Sequence, residues 1–166
     1  MGVFRYQRKK KAVIIDIFFM SFLLLLFAII GLIMYKVMTD VDTQMADDTV
    51  IDEEYRNYVT DYKTKLPSVL QQLFMLLLIG ITILTIISAF LVMSHPIFYA
   101  FMIIILAFMV WVNSIYANLW QDFSSDSVWG SLVNDMPMIN FALQYFPLIM
   151  LIISLIIVII MVSKNG

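Results

Sequence analysis

Four long apolar stretches constrain this chain more than any other feature. They cover about residues 12–35, 69–93, 97–119 and 138–162, and each exceeds the roughly 20 residues that a helix needs to cross the hydrocarbon of a bilayer. The apolar residues run continuously and do not alternate with polar ones, which argues against the strands of a membrane barrel. The sequence therefore predicts an all-α polytopic membrane protein, with four transmembrane helices in a single domain that covers residues 1–166.

The composition supports lipid as the surrounding medium. Of the 166 residues, 63% are hydrophobic and 13% are charged, whereas a soluble domain carries about 25% charged residues. A chain of this size leaves too much surface to hide so many apolar side chains in one core. The net charge of −2 excludes a strongly basic protein that binds nucleic acid. The absence of cysteine excludes disulfide and thiolate chemistry.

The first apolar stretch follows a basic cluster, Arg8 to Lys11, and we interpret it as an uncleaved membrane anchor. It is longer than the roughly 7–15 apolar residues of a secretory signal, and no small-residue cleavage site follows it. Basic residues near the ends of spans set their orientation. Six of them flank the two termini and four lie in residues 36–68. We therefore expect both termini on the cytoplasmic (inner) side of a cell membrane or of a membrane inside a virion.

The first loop, residues 36–68, is acidic but patterned. It holds eight acidic and four basic residues, and its apolar residues recur every three or four positions, which is helical spacing. We expect an extramembrane helical hairpin in which the first span continues outward, turns near residues 46–48 and returns. Thr49 with Asp52 resembles a capping box at the start of the second segment, and Pro67 suits the first turn of a helix or a kink.

Three tyrosines in this loop, Tyr55, Tyr58 and Tyr62, share one helical face. One interpretation is packing against the first helical segment or the lipid interface. The other is a docking face for a partner. The loop over residues 36–66 is accordingly the predicted contact with other membrane proteins or with shell proteins.

The second loop, residues 120–137, and the spans beside it are rich in aromatic residues. Trp and Tyr prefer the headgroup level, where an apolar ring and a polar edge are both satisfied. The predicted interfacial anchors are Trp111, Trp120, Trp129 and Tyr145. Ser125 or Asp126 is expected to cap a short helix lying in the interface plane, and Pro147 is expected to kink the fourth span.

The sequence contains no motif for catalysis, for a cofactor or for a metal. No HExxH, GxSxG, GxGxxG or phosphate-binding loop is present, so we expect a protein that is not an enzyme and needs no cofactor. Ionisable residues near the hydrocarbon are costly and often have a role. Asp16 lies just inside the first span, and we expect structural pairing with Lys164 or His95.

These features favour a non-enzymatic structural or assembly subunit of a larger membrane complex, in homo- or hetero-oligomeric form, with a virion membrane protein as one case. The alternative is a homo-oligomeric pore, a small transporter or a lysis-type permeabiliser. Its polar lining would come from four residues: Thr82, Thr85, Ser88 and Asn113. A small sensor or regulator that uses the tyrosine face is a third class.

Overall fold

The computed structural model describes residues 2–48, 51–91 and 97–163, and this part of the chain is helical, with no strand. Two helices are much longer than the rest, and the last apolar stretch is divided into two. The elements are α1 (Gly2–Asp47), α2 (Glu53–Leu91), α3 (Ile97–Ser125), α4 (Gly130–Asn134), α5 (Pro137–Gln144) and α6 (Phe146–Ser163).

The apolar helices are compatible with a membrane protein. Three segments are long and apolar enough to cross a bilayer, namely Ser21–Ala46, Glu53–Ile87 and Ile103–Ser125, and α5 with α6 adds a fourth if the bent pair counts as one span. Only 22% to 33% of the most apolar window of the first three is buried inside the protein. Large side chains such as Leu76, Ile104 and Ile159 are about two-thirds exposed. Apolar surface of this extent requires an apolar environment.

The helices α1 and α2 form the closest pair in the bundle, and small residues allow their approach. Ala28 and Gly31 of α1 are buried. A Cβ atom built on Gly31 would lie 3.3 Å from Cδ2 of Leu70, so α2 packs directly against the α1 backbone at this point. Small residues at such crossings bring helix backbones together in membranes. The sequence suggested a junction or a kink at Pro67, but α2 passes through this residue as one helix.

The core is densest at the level where α3 ends and where α4 and α5 pack against the middle of α1 and α2, around Leu32 and Phe74. We call this the loop end. The largest fully buried side chains are mostly found there: Trp120, Phe74, Phe146, Leu32, Met136, Ile139, Leu143 and Val133. The short helices α4 and α5 therefore supply core residues instead of forming a loose connection.

The fourth apolar stretch differs from the single kinked span that the sequence predicts. The chain breaks at Tyr145, and the axes of α5 and α6 differ by 63°. The physical reason is Pro147, which has no N–H to donate to the carbonyl of Leu143 and whose ring crowds that carbonyl.

The predicted short helix begins later than expected, since α4 starts at Gly130 and Val128 lies before it, half exposed. The expected cap is not formed on this helix: Trp129 occupies its N-cap position and makes no side-chain cap hydrogen bond, while Oδ1 of Asp126 accepts from the N–H of Val128 at 2.8 Å in the preceding turn.

We predict that Gly31→Leu destabilises the bundle, because the new side chain has no space beside Leu70. Forced overpacking of this kind costs about 1–3 kcal/mol. Thermal unfolding in a mild detergent measures the effect. The matched control is Gly80→Leu, where a Cβ meets nothing within 4 Å and where the same gain in helix propensity applies. Equal unfolding temperatures for the two variants would contradict the close α1–α2 contact.

Candidate functional site

Polar side chains join the outer parts of α1 and α2. We call residues 36–47 of α1 together with residues 53–65 of α2 the α1–α2 extension. Asp42 is its central residue: Oδ2 accepts from Nζ of Lys63 at 2.7 Å, and Oδ1 accepts from Oγ1 of Thr60 at 2.7 Å. The guanidinium of Arg56 donates to the carbonyl oxygen of Asp48, which follows the last residue of α1. The two helical segments are therefore connected by charge-assisted hydrogen bonds as well as by the short turn.

These bonds affect the titration of Asp42. The hydrogen bond from Lys63, followed by the one from Thr60, lowers the pKa of the Asp42 carboxyl below its usual 3.8, and partial desolvation opposes the shift. A lowered folded-state pKa means that the ionised carboxylate stabilises the fold at neutral pH. This stability is lost as the pH falls through the lowered pKa.

All four cations of the extension are engaged within it. Lys36 pairs with Asp40, Lys63 with Asp42, and Lys65 with Asp61 at 2.7 Å. Arg56 is held by the Asp48 carbonyl. Because residues 36–65 carry eight acids against four bases, this surface remains negative, and Glu53 and Glu54 form no ion pair among the described residues.

The predicted docking face is exposed. The exposed fractions of Tyr55, Tyr58 and Tyr62 are 58%, 58% and 67%, while the neighbouring Val59 is buried. The helix α2 therefore turns Val59, Thr60 and Lys63 toward α1 and leaves the tyrosines pointing away from it. Of the two interpretations, packing against α1 does not account for this degree of exposure.

A second polar cluster, which sequence reasoning missed, holds α4 and α5 against the other helices. We call it the loop-end clamp. The hydroxyl of Tyr35 donates to Oδ2 of Asp135 at 2.7 Å. The Gln71 amide accepts from the N–H of Met138 at 2.9 Å and donates to the carbonyl of Asp135 at 3.4 Å. The indole N–H of Trp120 donates to Oδ1 of Asn140 at 3.0 Å. The clamp thus connects α1, α2 and α3 to the segment before the break.

The clamp satisfies the N-terminus of α5. The first N–H groups of a helix have no partner inside the helix, and Met136 and Pro137 at this end offer no side-chain cap. The Gln71 oxygen fills that role from another helix. The sequence signal was a glutamine inside an otherwise apolar span together with an Asn in the apolar run after Pro137, but nothing in the sequence pairs the two.

Three polar residues are buried deeper in the bundle: Ser21 of α1, Thr85 of α2 and Asn113 of α3. The Thr85 hydroxyl donates to the carbonyl of Ile81, and the Asn113 amide donates to that of Met109, both within their own helices. Oδ1 of Asn113 is buried and has no partner in the described part of the chain. Ser21, Thr82 and Thr85 line a cavity of about 20 Å³ between α1, α2 and α6, which is enough for one water molecule.

The structure distributes the predicted anchors between the surface and the core. Trp111 is 60% exposed, with its ring 5.6 Å from that of Phe108. Tyr145 is 45% exposed, with its ring 4.9 Å from Phe141, and Trp129 is half-buried against Phe123. Trp120 differs from the expectation of an interfacial anchor. It is fully buried, because α3 continues to Ser125 and turns this indole toward Asn140.

The predicted polar pairing of Asp16, His95 and Lys164 lies outside the described residues. The backbone of Asp16 belongs to α1, but its side chain is not described, and His95 and Lys164 fall in residues 92–96 and 164–166. The expected turn with Ser94 and Pro96 lies in the first of these gaps. Among the described residues, no group of three or more His, Cys, Asp or Glu side chains is placed to hold a metal ion.

Comparison with protein-family models, with curated proteins and with solved structures finds no match for this chain. The function is therefore inferred from this chain's own residues.

We predict that Gln71→Leu loosens α5, because it removes the acceptor of the Met138 N–H. The loss of one such bond costs about 1 kcal/mol. Hydrogen exchange over residues 137–141 should become faster and the unfolding temperature should fall. The control is Gln72→Leu, which makes the same change at a neighbouring exposed position and should leave exchange in α5 unchanged. The clamp would be disproved if the two variants behaved alike.

We predict that Asp42→Asn weakens the α1–α2 extension at neutral pH but not in acid. The destabilisation should be constant from about pH 7 to pH 5, where the wild-type carboxylate is ionised. It should shrink as the pH falls through 3.8 and below, because protonation then removes the same charge from the wild-type residue. The destabilisation is measured by hydrogen exchange over residues 53–65, compared between the wild type and the variant at each pH. The absence of any difference between the two proteins at pH 7 would mean that the ion pair with Lys63 contributes nothing.

Proposed function

We propose that this chain is a non-enzymatic integral membrane protein that acts as a structural or assembly subunit of a larger membrane complex, in a cell membrane or in a virion membrane. The observation that carries the proposal is the α1–α2 extension, which is folded, is negatively charged and presents exposed tyrosines. The lipid bilayer and other membrane or shell proteins are its proposed partners.

The helix lengths support a projection beyond the bilayer. The segment Glu53–Ile87 has 35 residues, which corresponds to about 52 Å of helix at about 1.5 Å per residue. The hydrocarbon of a bilayer is about 30 Å thick. The excess lies in the charged part of α2, residues 53–65, where Glu, Asp, Lys and Arg would be costly in hydrocarbon. A rigid helical projection suits contact with another protein.

The proposed topology has four crossings, with α5 and α6 together forming the last, and both termini on the inner side. The basic residues before the first apolar stretch support this orientation. It places the acidic extension and the loop-end clamp on the outer side. The small residues at the α1–α2 contact and the single-water cavity beside Thr85 support helix packing as the role of the polar residues inside the bundle.

The test of this proposal is the mass of the particle extracted from its native membrane. Extraction in a mild detergent, followed by native mass measurement, should give a particle heavier than one chain of 19.3 kDa plus detergent. Removal of the exposed part of the extension by limited proteolysis should release the additional subunits. A matched sample digested after crosslinking should retain them.

A single chain with no retained partner would contradict the subunit role. The second candidate is then a homo-oligomeric pore, and the observation that favours it is the presence of Thr82, Thr85 and Asn113 among the few polar side chains inside the bundle. Reconstitution in liposomes distinguishes the two functions. Selective ion flux that is abolished by Thr85→Leu and retained by Thr85→Ser, which keeps the hydroxyl, would favour the pore.

A further inference from the structure

We propose that the face formed by Tyr55, Tyr58, Tyr62 and Glu54 is a docking site for a cationic segment of a partner protein, one that presents Arg or Lys side chains. We call these four residues the tyrosine face. This inference rests on the proposed function and specifies the chemistry of the partner. The observation that carries it is the juxtaposition of three exposed rings with the Glu54 carboxylate, which forms no ion pair among the described residues.

The four residues form one continuous patch. Positions three or four apart are neighbours on a helix surface, so Glu54 and Tyr62 flank Tyr58 along the helix, and Tyr55 lies beside it. All four are exposed, whereas Val59 on the adjoining side is buried toward α1. The patch is therefore on the side of α2 that no other described element covers.

Lipid headgroups are too far away to cover this patch. Tyr55 precedes Val69, the first residue of the apolar stretch, by 14 positions, which is about 21 Å along a helix axis. Tyr58 is about 16 Å and Tyr62 about 10 Å from the same point. The headgroup layer is only about 5–8 Å thick on each side of the hydrocarbon. An α2 that leaves the membrane without a break at Pro67 carries Tyr55 and Tyr58 beyond it.

The charge of the surface selects the partner. Each of the four cations in the extension is already used in a contact within it. The Glu53 and Glu54 carboxylates remain uncompensated among the described residues. A second copy of this chain presents the same negative surface, so self-association through the tyrosine face is opposed by like charges. A positively charged partner is attracted.

The rings and carboxylates recognise the same kind of side chain. A guanidinium or ammonium group placed over a tyrosine ring is attracted by the ring quadrupole. The neighbouring Glu54 carboxylate can accept a charge-assisted hydrogen bond from the same group. Three rings along about two turns of helix offer successive positions for basic residues, and this spacing suits an extended or helical basic segment.

A direct binding experiment tests the proposal. The full chain is placed in nanodiscs of neutral phosphatidylcholine, and a fluorescent hexa-arginine peptide is titrated against it, with empty nanodiscs and a hexa-glutamate peptide as blanks. We expect hexa-arginine to bind, hexa-glutamate not to bind, and affinity to fall when ionic strength rises from about 0.05 to about 0.5 M, because screening shortens the Debye length.

Matched variants separate ring chemistry from general charge. The triple change Tyr55→Leu, Tyr58→Leu and Tyr62→Leu should weaken binding about tenfold, since each exposed cation–π contact contributes a few-fold. The same three positions changed to Phe retain the ring faces and should bind like the wild type. Glu54→Gln should weaken binding about threefold, the effect of one exposed ion pair. Asp122→Asn, which removes the same charge from exposed α3, should have less effect.

Two results would overturn the proposal. One is equal binding by the triple Leu and triple Phe variants, which would mean that the rings take no part. The other is an equal loss with Glu54→Gln and Asp122→Asn, which would mean that net charge alone attracts the peptide.

The docking site and the subunit role can be tested separately. A native complex that stays assembled with the triple Leu variant would refute this docking site and leave the subunit role intact. Ring-dependent peptide binding by a chain without native partners would support the docking site and refute the subunit role.

Discussion

Excess helix length is the constraint on which the rest of this structure depends. The helices α1 and α2 have 46 and 39 residues, and a bilayer core of about 30 Å needs only about 20. If α1 and α2 cross a bilayer, the surplus extends into water, and its composition agrees with this, because the charged residues of α1 and α2 within the described side chains lie in residues 36–65. Once two adjacent helices project together, their facing polar residues can pair. Asp42, Thr60 and Lys63 make that contact, so the projecting part is an ordered structure.

A short helix that begins against other helices explains the loop-end clamp. The helix α5 starts at Pro137, and its N-cap residue, Met136, makes no side-chain cap hydrogen bond. Unsatisfied backbone groups are costly away from water, and the surrounding helices supply what is missing. Gln71 binds the α5 N-terminus, Asp135 accepts from Tyr35, and Asn140 accepts from Trp120. Two of the polar residues that interrupt the apolar runs, Gln71 and Asn140, therefore have structural partners.

The sequence was sufficient to predict the long helices but not the contacts between them. Apolar length predicted the helical class, and helical spacing predicted that α1 continues past Tyr35. A junction or kink was expected at Pro67, whereas α2 is one helix through this residue. The burial of Trp120 was not predictable, because it depends on how far α3 continues and on which helix faces it there. Pro147 predicted the bend after α5, but nothing in the sequence predicted the loop-end clamp. Its members are 20 to 100 residues apart in sequence, and a single chain gives no signal that pairs them.

The spacing of the tyrosines was enough to predict that they share one surface, but not whether that surface is exposed. Helical periodicity placed Tyr55, Tyr58 and Tyr62 together without deciding between packing and docking. The packing of Val59 and the bonds to Asp42 fix the rotation of α2 against α1, and that rotation exposes the rings. The pairing of the three nearby lysines with carboxylates and the bond from Arg56 to a backbone carbonyl likewise depend on three-dimensional contacts and not on composition.

The continuity of α2 through Pro67 also has a mechanical consequence. A single stiff rod connects Tyr55 with the apolar segment up to Leu91, so a sideways force on the projecting end acts as a torque on the membrane-embedded end. The arm outside, about 20 Å at about 1.5 Å per residue, is comparable with the length inside. Because Gly31 and Leu70 hold α1 and α2 in direct contact at the fulcrum, such a force would tilt the two helices together.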